Sequence, residues 1–355
     1  MIDSTFWNGK RVFVTGHTGF KGSWLCLWLS HMGAKVYGYS SGVPSQPSLY
    51  EQANVGRFLT SHDGDVRNFS ELAAALKDAD PEVVFHLAAQ SLVRSSYEDP
   101  LGTYATNVMG TANLLEAVRQ TTRVRAVVIV TSDKSYLNQE WTWPYRETDT
   151  LGGYDPYSNS KACAELVTAA YRTSFFNVTE YGKAHNVGVA TARAGNVIGG
   201  GDWARDRLIP DCIRALGAHQ EIVIRSPDAV RPWQHVLEAL SGYLVLAQKL
   251  SLDGIQYAEA WNFGPDQSDV RTVEWVVGRV CELWGNSLGY RVDTGSKPHE
   301  ASLLRLDSSK AKIRLGWSPK WDVERALVTT MEWVTGIDRS EDIAELCFRQ
   351  IREYA

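Results

Sequence analysis

The chain is poor in cysteine, in long hydrophobic runs and in positive charge, and each shortage argues against a class of protein. Its five cysteines among 355 residues form no C-x-x-C pair and have no zinc-site spacing, so we expect reduced thiols in a cytoplasmic protein and no metal site. No apolar run reaches the roughly 20 residues that span a bilayer, and residues 1–10 are too polar for a secretory signal, so we expect no membrane partner. The net charge of −5 argues against nucleic acid as the main ligand.

Strand-like runs alternate with apolar helical segments along most of the chain. The predicted strands cover residues 11–15, 34–40, 62–66, 83–90, 126–130, 188–192, 222–225 and 260–264. Such alternation predicts an α/β fold with a Rossmann-like, doubly wound parallel sheet. The alternation breaks after residue 192, which indicates a smaller mixed α/β domain toward the C-terminus. We place the first domain at residues 1–192 and about 233–265, and the second at 193–232 and 266–355.

A glycine-rich turn joins the first predicted strand to an apolar helix. The turn has the pattern Gly-x-x-Gly-x-x-Gly. Glycines allow a tight turn and a close backbone approach, and the helix N-terminus offers free N–H groups to a pyrophosphate. We therefore predict a dinucleotide site that includes Gly16, His17, Gly19, Phe20, Lys21 and Gly22.

The second predicted strand gives little sign of which dinucleotide binds. It ends in Ser40 and Ser41, with neither an acidic residue for the ribose hydroxyls of NAD nor an arginine for the 2′-phosphate of NADP. Lys21 and His17 add positive charge to the glycine-rich turn, which suits either cofactor.

The third and fourth predicted strands extend the dinucleotide site. Small side chains at the end of the fourth strand let a cofactor lie against the backbone. Asp65 is either a hydrogen-bond partner for an adenine amine or a turn or N-cap residue. The residues predicted here are Asp65, Val66, Leu87, Ala88 and Ala89.

Tyr157 and Lys161 form a Y-x-x-x-K pair, one turn apart on the same face of a predicted helix. The ammonium group favours the phenolate, which lowers the tyrosine pKa from its ordinary ~10 and suits the hydroxyl to act as a base. An isolated pair of this kind is more often an ordinary surface tyrosine and lysine, so its context decides. Ser132, Asp133 and Lys134 directly follow the fifth strand, and ligands bind at the carboxyl ends of parallel strands. We therefore predict that these five residues form an active site.

Several blocks in order resemble the extended short-chain dehydrogenase/reductases of the nucleotide-sugar branch. They are T-G-H-T-G-F-K-G at 15–22, H-L-A-A-Q at 86–90, N-V-M-G-T at 107–111 and Y-S-N-S-K at 157–161. The family's 4,6-dehydratases usually carry Thr-Asp-Glu where this chain has Ser132-Asp133-Lys134, so Lys134 departs from the pattern. Together with R-A-G-N-V-I-G-G-G-D-W at 193–203, the chain most resembles the 4,6-dehydratases of CDP-glucose.

The resemblance implies NAD as the cofactor, with Asn107 among the cofactor-binding residues, and CDP-glucose as the substrate. It also implies a homodimer paired through a helix after Asn107 and a helix at 157–171. Two rival functions stay open. A nucleotide-sugar 4-epimerase needs the tyrosine and lysine but no acid and base for elimination. A cofactor-sensing regulator has no use for Tyr157 and Lys161.

The resemblance also implies a role for each active-site residue. Tyr157 takes the C4 hydroxyl proton while a hydride leaves C4, Lys161 holds the nicotinamide ribose, and Ser132 hydrogen-bonds the O4 oxygen. Asp133 protonates the departing C6 hydroxyl, and Lys134, if neutral, removes the C5 proton. The alternative for Lys134 is a simple ion pair with Asp133.

Basic and amide residues outside this centre are candidates for the substrate. Arg231 suits a pyrophosphate clamp because a guanidinium matches phosphate geometry, although it also suits the anchor of a surface loop. Asn196 is either a donor to the same phosphates or a loop-closing residue. The full set of predicted substrate-binding residues is Gln90, Asn196, Arg207, Arg231, His299 and Arg305.

Overall fold

A seven-stranded parallel sheet forms the centre of the computed structural model, which describes residues 2–285, 289–293 and 303–355. Its strands are β1 (Arg11–Thr15), β2 (Lys35–Ser40), β3 (Thr60–Asp63), β4 (Val83–His86), β5 (Ala126–Val130), β6 (Gly188–Arg193) and β11 (Ala260–Asn262). Their spatial order is β11-β6-β5-β4-β1-β2-β3, and every neighbouring pair is parallel. The predicted Rossmann-like sheet is therefore confirmed.

Three small two-stranded sheets lie beside the main one. In two of them, β7 (Val197–Ile198) with β10 (Gln234–His235) and β8 (Ile222–Ile224) with β13 (Tyr290–Val292), the strands are parallel. In the third, β9 (Val230–Arg231) and β12 (Arg271–Thr272) are antiparallel.

The described helices include short turns and long segments that cover the sheet. They are α1 (Ser4–Trp7), α2 (Phe20–His31), α3 (Leu49–Gln52), α4 (Phe69–Ala79), α5 (Val93–Glu98), α6 (Pro100–Tyr104), α7 (Gly110–Arg119), α8 (Pro156–Ser174), α9 (Leu208–Gly217), α10 (Val236–Asp253), α11 (Val273–Trp284), α12 (Val323–Asp338) and α13 (Ile343–Tyr354). A π-helical turn (Ala105–Met109) joins α6 to α7. No helix in the described ranges is long and apolar enough to cross a membrane.

The central strands are buried on both faces, as expected for a parallel sheet covered by helices. Strand β1 shows the alternation directly, because Val12 and Val14 belong to one hydrophobic cluster and Phe13 belongs to another. In β5, Val128 faces the first cluster and Val127 the second. One core therefore lies on each side of the sheet, and the carboxyl ends of the strands are left to form a site.

The strand boundaries differ from the sequence prediction at six places. Strand β2 begins at Lys35, one residue late, and β8 and β11 end at Ile224 and Asn262, one and two residues early. Strand β3 covers Thr60–Asp63 rather than 62–66. All four of its residues are exposed at the sheet edge, so no alternation of apolar and polar residues marks the strand in the sequence. Strand β4 ends at His86 rather than at residue 90. Strand β6 continues to Arg193, one residue beyond the predicted end. The proposed domain boundaries stay a prediction.

Candidate active site

A cavity of about 900 Å³ opens at the carboxyl ends of the central strands. This volume lies within the range of small-molecule sites. The predicted cofactor-binding residues that line it are Gly16, Gly19, Phe20, Lys21, Gly22, Asp65, Val66, Leu87, Ala88, Ala89, Tyr157 and Lys161.

The glycine-rich turn packs too closely for side chains. A Cβ on Gly16 would lie 2.6 Å from the Ala88 nitrogen, and one on Gly22 would lie 2.0 Å from the Gly16 oxygen. Helix α2 then begins at Phe20 behind Gly19, which supplies no side-chain cap. Its first N–H groups therefore face the cavity without a side-chain partner, which fits the pyrophosphate of a dinucleotide.

His17 does not add the positive charge that the sequence suggested. Its ring is buried, Nε2 lies 2.8 Å from the Ser61 hydroxyl, and the ring fills the space beside Gly38. Burial lowers the His17 pKa to about 4, so the ring is neutral near pH 7. The expectation of a charged histidine is therefore wrong.

Lys21 carries less charge than expected, although it lines the cavity. Burial, assisted by the positive charges of Arg207 and Lys161, lowers its pKa to about 7. Asp133 and Asp202 act in the opposite direction. Lys21 therefore loses its proton more readily than an ordinary lysine.

Asp65 lines the cavity but is engaged by Arg67, a residue that the sequence reasoning missed. The Arg67 backbone nitrogen and guanidinium both donate to the Asp65 carboxylate, and the hydrogen bonds from Arg67 lower the Asp65 pKa. Arg67 also lines the cavity, beyond Ser40 and Ser41. The cofactor end of the cavity therefore contains an arginine, two residues after Asp65, that the search beside Ser40 and Ser41 did not find.

Helix α8 presents Tyr157 and Lys161 to the cavity. Asp155 caps the helix by accepting from the Ser158 N–H at 2.9 Å, and Pro156 occupies the first helical position, where its missing N–H costs nothing. Lys161 Nζ donates to the Val130 oxygen at 3.2 Å. The Y-x-x-x-K pair is therefore buried at the end of β5 rather than on the surface.

Burial dominates the protonation of this pair. It raises the pKa of Tyr157, and the Ser132 hydroxyl and the positive charge of Arg207 oppose the rise. Burial also lowers the Lys161 pKa to about 8, against the raising effect of Glu165. The net effect on Tyr157 is upward, contrary to the expected lowering.

Ser132, Asp133 and Lys134 form a tight turn directly after β5. Ser132 caps the short 3₁₀ helix Asp133–Ser135 by accepting from the Lys134 N–H at 3.2 Å, and its hydroxyl donates to Asp133 Oδ1 at 3.0 Å. Asp133 is 1% exposed, and a Cβ on Gly195 would lie only 1.7 Å from its Oδ2. The Asp133 carboxylate is therefore held in one position, while Lys134 is half-buried.

Two predicted substrate residues lie at this centre. The Asn196 amide donates to Asp133 Oδ2 at 3.5 Å, from a backbone with a φ of 47°. Arg207 lines the cavity and donates to Asp202 at 2.9 Å and to the Ser91 hydroxyl at 3.1 Å. The Asn196 amide therefore adjoins the predicted catalytic turn, and the Arg207 guanidinium is close enough to Tyr157 to act on its pKa.

Gln90 and Asn107 have structural partners instead of an open position. Asn107 accepts from the Gln90 N–H at 2.9 Å and donates to the Gln90 oxygen and the Ser160 hydroxyl. The Gln90 side chain donates to the Leu92 oxygen and the Thr103 hydroxyl. The Asn107 side chain joins the segment after β4 to α8, and the Gln90 side chain joins it to α6. Both differ from the direct ligand contacts expected of them.

The remaining predicted substrate residues are less closely tied to the cavity. Arg231 lies in β9 and donates to the Val230 oxygen at 3.0 Å. Arg305 is partly buried, and its Nε has no hydrogen-bond partner among the described residues. His299 lies outside the described residues.

Comparison with known proteins decides the family. A family model described as GDP-mannose 4,6 dehydratase matches residues 13–331. The chain belongs to this family. It is also 54% identical over 354 residues to a CDP-glucose 4,6-dehydratase of Salmonella typhimurium, covering 100% of this chain and 98% of that protein.

Solved structures share the fold at lower identity. A dTDP-glucose 4,6-dehydratase from Bacillus anthracis in complex with NAD is 22% identical with a TM-score of 0.76, covering 94% of this chain and 99% of that one. A UDP-glucose 4-epimerase from Thermotoga maritima with UDP-glucose is also 22% identical, with a TM-score of 0.79, covering 92% and 99%. The resemblance to the nucleotide-sugar branch of the extended short-chain dehydrogenase/reductases is confirmed.

Sequence reasoning missed a buried ion pair behind the centre. Arg193, which stands just beyond the predicted strand 188–192, ends β6 and joins Glu165 with Nη2 to Oε2 at 2.8 Å. Both side chains are 3% exposed. The one available signal was Glu165 itself, an acidic residue four positions after Lys161 on the same helical face.

Proposed function

We propose that this protein is an NAD-dependent CDP-glucose 4,6-dehydratase. It removes water from CDP-D-glucose to give CDP-4-keto-6-deoxy-D-glucose. The observation that carries the proposal is the Ser132–Lys134 turn at the end of β5, beside the Tyr157–Lys161 pair of α8. A 4-epimerase has no use for the additional acid and base of that turn.

The cavity fits NAD by its shape and donors. The close approach of Gly16 to Ala88 and the uncapped start of α2 suit the pyrophosphate, and Tyr157 and Lys161 suit the nicotinamide end. When bound, NAD accepts a hydride from C4 and supplies it later to C6. We expect NAD to be preferred over NADP only mildly, because Arg67 lines the cavity but is neutralised by Asp65.

The chain's own residues move the protons. Elimination of water across C5 and C6 needs an acidic C5 proton, which a ketone at C4 provides. Tyr157 takes the C4 hydroxyl proton, Lys161 holds the ribose and stabilises the phenolate, and Ser132 donates to O4. Lys134 then removes the C5 proton, and Asp133 protonates the C6 hydroxyl as it leaves.

The buried position of Asp133 supports its role as the acid. Its carboxyl is enclosed by Gly195 and hydrogen-bonded by Ser132, while Asn196 adjoins Oδ2. An acid held this rigidly reaches a leaving group in one orientation, which favours proton transfer to one hydroxyl of the sugar. Arg231 and Asn196 remain our candidates for the pyrophosphate, Arg207 for the substrate, and Arg305 and His299 for the nucleotide or sugar.

A panel of nucleotide sugars tests the substrate. The protein is incubated with NAD and with CDP-, dTDP-, UDP- or GDP-hexoses, and the alkaline absorbance of a 4-keto product is followed. We expect turnover to be fastest with CDP-glucose. Faster turnover of dTDP-glucose would reject the nucleotide assignment, and a 4-epimer without a keto sugar would reject dehydration.

An apolar surface on α6, α8 and the turn joining α6 to α7 supports a homodimer. Leu101 is 81% exposed, Met109 55%, Leu166 58% and Phe175 49%. Clustered exposure of large apolar side chains on neighbouring helices is typical of a protein interface. Met109 follows Asn107 and Leu166 lies in α8, as expected for pairing, whereas Leu101 and Phe175 lie just outside the expected helices.

A pair of matched variants tests the dimer by sedimentation. Leu166→Glu places a charge in the proposed interface, and we expect it to convert the dimer to a monomer. Ile313→Glu changes another exposed apolar residue, in the π-helical turn Ala311–Leu315, and should leave the dimer intact. A monomeric wild type, or dissociation of both variants alike, would contradict the proposal.

A further inference from the structure

Glu165 sits one helical turn beyond Lys161 and has all its hydrogen-bonding capacity engaged. Its Oε1 accepts from the Thr131 hydroxyl at 2.5 Å and from Arg193 Nε at 2.9 Å. Its Oε2 accepts from the Thr191 hydroxyl at 2.6 Å and from Arg193 Nη2 at 2.8 Å. The carboxylate therefore links α8 to the ends of β5 and β6, directly behind the catalytic lysine.

Arg193 connects the same carboxylate to the catalytic turn. Its Nη1 donates to the Tyr136 hydroxyl at 2.8 Å, and its guanidinium lies 4.9 Å from the centroid of the Tyr136 ring. Tyr136 follows the Asp133–Ser135 turn and donates to Asn262 at 2.8 Å. One bidentate ion pair thus joins the helix of Tyr157 to the turn of Asp133.

Among the described residues, the titratable and charged groups around Lys161 that concern the proposal come from four elements, α8, α2, β4 and β6. Glu165 and Tyr157 share its helix, and Lys21 reaches it from α2 and His86 from β4. Burial lowers the His86 pKa to about 3, so that ring is neutral. The guanidinium of Arg193, from β6, compensates the Glu165 charge within the same buried space.

We propose that Glu165 and Arg193 are positioning residues that act through Lys161. Their balanced charges set the pH range over which Lys161 is a cation, and their hydrogen bonds fix α8 against the catalytic turn. This inference rests on the proposed role of Lys161 beside Tyr157. It predicts that removing one charge shifts the titration midpoint of Lys161 in one direction and removing the other shifts it in the opposite direction. Removing both charges should leave the midpoint nearly unchanged.

Competitive acetylation of the protein without substrate measures the protonation of Lys161 directly. Trace acetic anhydride labels each lysine in proportion to its neutral fraction, and peptide mass spectrometry reads Lys161 against the exposed Lys183 over a range of pH. We expect Glu165→Gln to lower the midpoint for Lys161 by about one pH unit or more, because an unbalanced guanidinium remains. Arg193→Gln should raise it by about the same amount, and the double variant should titrate like wild type.

The control is Glu238→Gln, the same chemical change at another buried carboxylate. Glu238, in the first turn of α10, accepts from the Trp321 N–H and the Tyr354 hydroxyl. It should change thermal stability without moving the Lys161 midpoint. A purely structural role for the pair predicts unchanged midpoints in every variant, and that result, or shifts of the same sign in both single variants, would overturn the proposal.

If Glu165→Gln or Arg193→Gln does not fold, two other variants still test the proposal. The double variant removes both charges and Arg193→Lys keeps both, so each must titrate within about half a pH unit of wild type. A larger shift in either would overturn the proposal. The pH dependence of reduced-cofactor formation with CDP-glucose should move in parallel in the folded variants. Absence of that reaction in the wild type would reject the proposed function, whereas the acetylation midpoints test the charge balance alone.

Discussion

Gly195→Ala is the substitution that most directly probes the placement of Asp133. The new Cβ would lie 1.7 Å from Asp133 Oδ2 and 2.0 Å from its Cγ, well inside the 3.0 Å limit of real contacts. The backbone at Gly195 has no left-handed φ, so an alanine is allowed there and the effect comes from space alone. Asp133 is 1% exposed and short, so the carboxyl group must retreat by more than about 1 Å.

Two effects follow from this displacement. Overpacking of a buried site typically costs about 1–3 kcal/mol of unfolding free energy. A displacement of about 1 Å at a catalytic group typically costs about 10²-fold in rate. Because Asp133 acts in the elimination and not in the oxidation, the variant should still oxidise C4 while it eliminates water about 10²-fold more slowly.

Single-turnover absorbance measures both steps, with the reduced cofactor and the alkaline keto product read in the same sample. Gly195→Ala should accumulate reduced cofactor, whereas the control Gly278→Ala, whose Cβ would meet nothing within 4 Å, should behave like wild type. Wild-type product formation together with wild-type stability would refute the packing of Asp133 against Gly195. Loss of cofactor reduction as well would move Asp133 to the oxidation step.

Three further substitutions test the account at other points. Tyr157→Phe should lower the rate of C4 oxidation by about 10²–10⁴-fold while NAD binding, measured by calorimetry, persists, and near-normal turnover would remove Tyr157 from the mechanism. Lys134→Met should form reduced cofactor but stop exchange of the C5 proton with deuterated solvent, and exchange at the wild-type rate would make Lys134 an ion-pair residue. Burial lowers the pKa of His235 and of His86 to about 3. Below pH ~6.5 the folded protein therefore binds fewer protons than the unfolded chain, so the unfolding free energy decreases as the pH is lowered, by up to about 1.4 kcal/mol per pH unit for each ring. His235→Asn should therefore lose less unfolding free energy than wild type between pH 7 and 5.5 in urea titrations, and an equal loss would show that His235 is not the source.

The sheet and the centre of the site could be read from the sequence because their signals are local. Strand β5 is five consecutive apolar residues, and the glycine-rich turn lies between a strand and a helix, so each needs no knowledge of distant residues. The pair Tyr157 and Lys161 has a fixed helical spacing. The bounds of edge strand β3 were not predicted correctly, because its four residues are all exposed and carry no apolar pattern.

The electrostatics could not be read in the same way because they depend on burial and on distant partners. His17 looks like a cation in the sequence but is neutral, since its ring is packed against Gly38 and Ser61. Arg193 looks like a loop residue after the sixth predicted strand, yet it ends that strand and pairs with Glu165, 28 positions away in the chain. Such pairings across the sheet leave no spacing that a single sequence reveals.

The central claim is that one enzyme-held hydride moves from C4 to C6 of the sugar. The most direct measurement incubates the protein and NAD with CDP-glucose carrying deuterium at C4 and locates the label in the product by NMR. We predict CDP-4-keto-6-deoxyglucose with deuterium at C6 and no net reduction of the cofactor. Deuterium that is lost to solvent, or that remains at C4 of an epimerised hexose, would contradict the account.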